Sequence, residues 1–138
     1  MRYAVLLATL ALTPMSAQQP LTPAEHDRRI DYIEMSATNI AATKKFYVDA
    51  FGWKFTDYGP DYTSFADGRL AGGFTKAASV QRGGPLIVIF ALDLADAEKR
   101  VRAAGGTITK PVFSFPGGRR FHFTDPIGNE LAVWSDRN

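Results

Sequence analysis

The stretch Arg119–Ser135, RRFHFTDPIGNELAVWS, gathers the side chains best suited to chemistry. His122 carries an imidazole, a group that can serve as a general base. Arg120 can hold a carboxylate or phosphate through paired hydrogen bonds. Glu130 adds a carboxylate, and Trp134 an indole that can stack on a flat ligand. Each also has a plain structural role. A lone strand histidine is commonly part of a hydrogen-bonded framework, Glu130 near a hairpin mouth suits a rim charge, and strand aromatics are usually core.

These residues need elements to position them. The alternating runs Arg119–Thr124 and Glu130–Trp134 flank Asp125-Pro126-Ile127-Gly128, whose proline and glycine supply the backbone angles of a turn. The segment therefore predicts a hairpin closing a sheet. Period two puts Arg120, His122 and Thr124 on one face of the first strand, and Glu130, Ala132 and Trp134 on one face of the second.

The rest of the composition sets bounds. With 138 residues, 46% apolar and 22% charged, the chain suits one globular domain or two very small modules. A formal charge of +2 with scattered basic residues argues against nucleic-acid binding, which needs a concentrated basic patch. The absence of cysteine excludes disulfides, thiolate zinc sites and a cysteine nucleophile.

Residues 1–17 read as a signal peptide: Arg2 begins it, Ala4–Leu12 is apolar but too short to span a bilayer, and Ala17 offers a cleavage site despite Met15 before it. The expectation is an exported protein, periplasmic or secreted, with no membrane segment once the leader is removed. Residues 18–29, polar with two prolines, form a tether. Ile30–Thr38 alternates as a strand, placing Tyr32 and Glu34 on one side. Asn39 caps a helix running through Phe51 to Gly52. Trp53–Tyr58, Tyr62–Ala66 and Leu70–Thr75 are strands, the last two joined by Asp67-Gly68. Lys76–Gly84 is a linker. Pro85–Leu92 is an apolar strand and Asp93 caps a helix through Ala104, with Leu94, Ala97 and Val101 inward. Gly105-Gly106 ends it, Thr107–Lys110 is a strand, and Pro111–Gly118 is a loop before the hairpin.

The order strand–helix–strand–strand–strand thus occurs twice. The caps Asn39 and Asp93 lie 54 positions apart, as do the terminators Gly52 and Gly106. The economical reading is an α+β fold of two tandem βαβββ modules, residues 30–82 and 83–138, curling into a mixed sheet around a groove with helices outside.

With that pattern in place, NIAATKKFYVDAFGW (Asn39–Trp53) and DPIGNELAVWS resemble the vicinal oxygen chelate superfamily. It includes glyoxalase I, extradiol dioxygenases, fosfomycin-resistance proteins and bleomycin-binding proteins. The resemblance implies fold rather than reaction. It also implies where a divalent metal would be held. Tyr32, Ile87 and Ala132 occupy three ligand positions and Ala71–Phe74 the fourth, and none supplies imidazole or carboxylate. The expectation is therefore no metal and no cofactor.

By the same resemblance Tyr32, Glu34, Ile87, Ile89, Arg120, His122, Glu130 and Trp134 line the groove, with Tyr62 and Phe65 available to stack on a ligand. Glu34 either pairs with Arg120 or meets a ligand. The expected function is binding of a small organic molecule, as in the bleomycin-resistance branch. The alternatives are a lactoylglutathione-lyase-like or other isomerase or lyase enzyme using Glu34 or His122 as base, and a structural or interaction domain. A homodimer is implied by the resemblance as well.

Overall fold

The computed structural model describes residue 28 and residues 32–137. The expected leader, all of the tether except Arg28, and the first two residues of the expected opening strand lie outside the described residues.

The chain runs β1 (Tyr32–Ala37), α1 (Ile40–Phe51), β2 (Lys54–Asp57), β3 (Tyr62–Ala66), β4 (Ala71–Lys76), β5 (Ile87–Phe90), α2 (Leu94–Ala103), β6 (Thr107–Phe115), β7 (Gly118–Thr124) and β8 (Glu130–Ser135). It forms two four-stranded mixed sheets, ordered β1-β4-β3-β2 and β5-β8-β7-β6. In each, the first strand pairs in parallel with the last, and the remaining pairings are antiparallel. This is the α+β arrangement of two βαβββ units. No described helix is long and apolar enough to cross a membrane.

Local chemistry sets the helix limits. The Asn39 side chain accepts the Ala42 N–H, and Gly52 turns left-handed at φ 71°. Asp93 caps α2 by accepting from the Asp96 N–H, and the chain turns left-handed again at Gly105, φ 98°.

Both helices bury one stripe into a single core. Phe46, Tyr47 and Ala50 of α1 meet Leu94, Ala97 and Val101 of α2 and the inward residues Phe65, Phe74, Phe121, Phe123, Leu131 and Val133. Phe123 lies 6.0 Å from both Phe46 and Phe51, centroid to centroid, and so joins the two units. Trp53 stacks between Tyr47, at 4.6 Å, and Phe65, at 4.4 Å.

The turn between β7 and β8 is locked by Asp125. Its buried carboxylate accepts from the Ile127 and Asn129 backbone N–H groups, the Asn129 side-chain amide and the Tyr47 hydroxyl. Asn129 Nδ2 also donates to the Ser36 carbonyl at 3.0 Å, tying the second unit to β1. Burial, and then the Asp125 charge, push the Tyr47 phenol well above its ordinary range.

One element differs from expectation. Residues 111–115, expected in a loop, continue β6 through Pro111. The strand lies at the sheet edge, and its register shifts between Lys110 and Phe113. An edge position and an irregular ladder are where a strand tolerates the missing proline N–H.

Candidate functional site

Each sheet has a face turned away from the helices. On the second sheet, pairing places Val88 beside Ala132, Ala132 beside His122, and Phe90 and Arg120 beside Trp134. On the first, Tyr32, Glu34 and Ser36 pair with Ala71, Gly73 and Thr75.

A groove of about 710 Å³ lies between β1, residues 81–87 and the second sheet. It brings together Glu34, His122 and Glu130, with Lys110, Arg82 and Thr124 also in its wall. His122 is only 4% exposed. Its Nδ1 lies 3.4 Å from a carboxylate oxygen of Glu130, while Nε2 is buried with no partner among the described residues. An unpartnered buried nitrogen of this kind costs about 1–3 kcal/mol.

The other expected site residues are dispersed. Arg120 sits farther along the second sheet, its guanidinium 5.1 Å from the Phe113 ring and 5.5 Å from the Phe115 ring. Its Nε is buried without a partner among the described residues. The expected Glu34–Arg120 pair does not form: Glu34 accepts from the Thr75 hydroxyl at 2.7 Å. Trp134 packs against Phe90 and Phe115 rather than lining the groove.

One expected ligand contact needs correction: Ile89 packs against the core, whereas Ile87 packs against the core and also lines the groove. The residues of β5 on the open face are Val88 and Phe90, one position out of step with expectation. Phe65 is a core residue stacked on Trp53 that also lines a hollow on the first sheet. The aromatic partners Phe113 and Phe115 went unforeseen because they fall in the stretch expected as a loop.

Tyr32 and Tyr62 meet on the first sheet, their hydroxyls 2.6 Å apart. Both lie over Gly73, where any side chain would strike the Tyr62 phenol end. Removal from water, the hydrogen bond and charge of Tyr62, and the nearby Glu34 carboxylate push Tyr32 up to about 12. Between its ordinary value of 10.0 and about 12, the unfolded chain releases this proton first, so stability falls as pH rises through that window. Gly73→Ala is expected to separate the hydroxyls and bring Tyr32 ionisation back toward 10.0, read by ultraviolet difference titration. A Tyr32 transition that stays near about 12 in the variant would contradict this role for Gly73.

At the positions where the resemblance would place ligands of a divalent metal, the side chains are neither imidazole nor carboxylate. Tyr32 is a protonated, hydrogen-bonded phenol, Ala132 is a methyl group, and Ile87 packs into the core. Among the described residues, no three His, Cys, Asp or Glu side chains gather as a metal site requires.

The family model of the Glyoxalase/Bleomycin resistance protein/Dioxygenase superfamily matches residues 29–133. Solved structures agree in fold. A glyoxalase/bleomycin resistance protein/dioxygenase family enzyme from Burkholderia phytofirmans PsJN has 16% identity and a TM-score of 0.69, covering 76% of this chain and 96% of its own. A mutant fosfomycin resistance protein, FosX, from Listeria monocytogenes, complexed with Mn(II) and 1S,2S-dihydroxypropylphosphonic acid, has 18% identity and a TM-score of 0.68, with coverages of 78% and 89%. A lactoylglutathione lyase from Agrobacterium tumefaciens has 17% identity and a TM-score of 0.61, with coverages of 78% and 93%. No curated protein matches the chain. On the breadth of the family match, this chain belongs to the Glyoxalase/Bleomycin resistance protein/Dioxygenase superfamily.

Proposed function

We propose that this protein binds a small organic molecule in the groove beside β1, and does so without a divalent cation. The observation that supports this most is the convergence of Glu34, Glu130 and His122 on one groove of about 710 Å³, a size suited to a metabolite-scale ligand. Lys110 and Arg82 in the same wall balance the two carboxylates, so the groove suits a polar ligand with both donors and acceptors. A ligand atom reaching His122 Nε2 would satisfy a nitrogen that has no partner among the described residues.

A thermal-shift screen of metabolites and antibiotics tests the location. A ligand well above its dissociation constant stabilises the fold by a few kcal/mol. Glu34→Gln and His122→Gln are each expected to reduce the shift given by a hit. A hit whose shift survives both variants would place binding elsewhere.

The His122–Glu130 contact favours one second reading, an isomerase or lyase. A carboxylate 3.4 Å from Nδ1 favours the tautomer with its proton there. Nε2, buried and unpartnered among the described residues, would then carry the lone pair of a base once a ligand reached it. His122→Gln that retains affinity for a hit but abolishes its turnover would select the enzyme.

A further inference from the structure

The two units are joined by residues 77–86, and the second half of that connection borders the groove. Residues 81–86 all line it, yet all are exposed. The connection is anchored at both ends. The Ala77 N–H donates to the Ala37 carbonyl at 2.9 Å, and pairing with β8 begins at Ile87. Between these anchors, a single hydrogen bond ties residues 78–85 to the rest of the described residues: the Gln81 N–H donates to the Ser36 hydroxyl at 3.0 Å. Ser36 is itself held, because its carbonyl accepts from the Asn129 side chain in the closing turn.

Just beyond this tie the backbone supplies a hinge. Gly83 and Gly84 are both left-handed, at φ 86° and 94°. A Cβ at either would meet no neighbour, so glycine contributes backbone freedom here and not space. Pro85 follows and has no N–H to extend the ladder of β5 back across the hinge. An exposed stretch held by one hydrogen bond belongs to the parts of a fold that open at the least free energy. The stretch also carries charge to the groove. Arg82 and Lys110 line it without an ion-pair partner among the described residues, whereas Glu34 is engaged by Thr75 and Glu130 by His122.

We propose that residues 78–84 form a strap, latched through Gln81 to Ser36, that swings on Gly83-Gly84 to open the groove and closes with Arg82 on an anionic group of the ligand. Breaking the one hydrogen bond frees the strap, and a charge-assisted pair between the guanidinium and the ligand's anion holds it closed again. The latch does not depend on the groove reading, whereas the role of Arg82 rests on it.

Trypsin digestion of the full chain, followed by mass spectrometry, reads the strap through scission after Arg82. Under mild digestion that rate follows the population of the open form. Ser36→Ala is expected to speed scission at Arg82 about fivefold, the shift that the loss of one hydrogen bond gives. Scission at Arg69, exposed in the turn between β3 and β4, is the internal reference and is expected to stay the same. The substitution keeps the carbonyl that accepts from Asn129, and a melting curve checks that the variant folds. Inorganic phosphate, compared with chloride at equal ionic strength, is expected to slow scission at Arg82 saturably and to leave Arg69 unaffected. An Arg82 rate that ignores Ser36→Ala would overturn the latch. Phosphate that protects neither site, or both alike, would overturn the part given to Arg82. A thermal-shift screen without hits would sink the groove reading but not the latch, which the Ser36→Ala rate decides alone.

Discussion

Asp125→Ala is expected to destabilise the protein by about 3–5 kcal/mol in chemical denaturation, among the largest losses available outside the hydrophobic core. The carboxylate is 4% exposed and accepts four hydrogen bonds, two from backbone N–H groups of its own turn and two from the side chains of Tyr47 and Asn129. Removing it strands four donors, three of them in fully buried hydrogen bonds. Tyr47→Phe removes one of the four and is expected to cost about 1 kcal/mol. A loss in Asp125→Ala no larger than that in Tyr47→Phe would contradict the view that this residue locks the closing hairpin to α1.

Phe123→Ala is expected to cost a similar amount, about 3–5 kcal/mol, because its buried ring is surrounded and the site cannot collapse. Its contacts give the loss a particular character. Phe46 and Phe51 belong to the first unit and Phe121 to the second. The two units share one core, so the loss should be felt by both. Trp53 and Trp134 report on one unit each. In the single-tryptophan backgrounds Trp134→Phe and Trp53→Phe, the unfolding midpoints are expected to move together. Midpoints that separate would show two cores where the structure has one.

The sequence was most legible where one residue type does one job. Asn39, Gly52 and Asp93 mark helix limits through their side chains or their tolerance of positive φ, and all three act as expected. The stripe Leu94, Ala97 and Val101 is buried as its spacing requires. The matching order of the two sheets bears out the repeat.

Facing was harder to read. Pro85–Leu92 is apolar on both sides, so alternation offers no polar marker: Val88 and Phe90 occupy the open face, Ile89 packs inward, and Ile87 packs inward while still lining the groove. Pro111 concealed the outer half of β6, and with it the phenylalanines that hold Arg120. Alternation offers Glu34 an arginine on the other sheet, but the partner it takes is Thr75, diagonally placed on the neighbouring β4, a contact set by register that pattern alone does not reveal. His122 and Glu130 were correctly placed on one face, since period two within a hairpin is sufficient for that.

If the groove holds a small organic molecule without a divalent cation, calorimetric titration of a screening hit into protein treated with chelator, and again after adding manganese, zinc or nickel in turn, is expected to give the same affinity and stoichiometry in every arm. Binding that appears only when one of these ions is restored would contradict it.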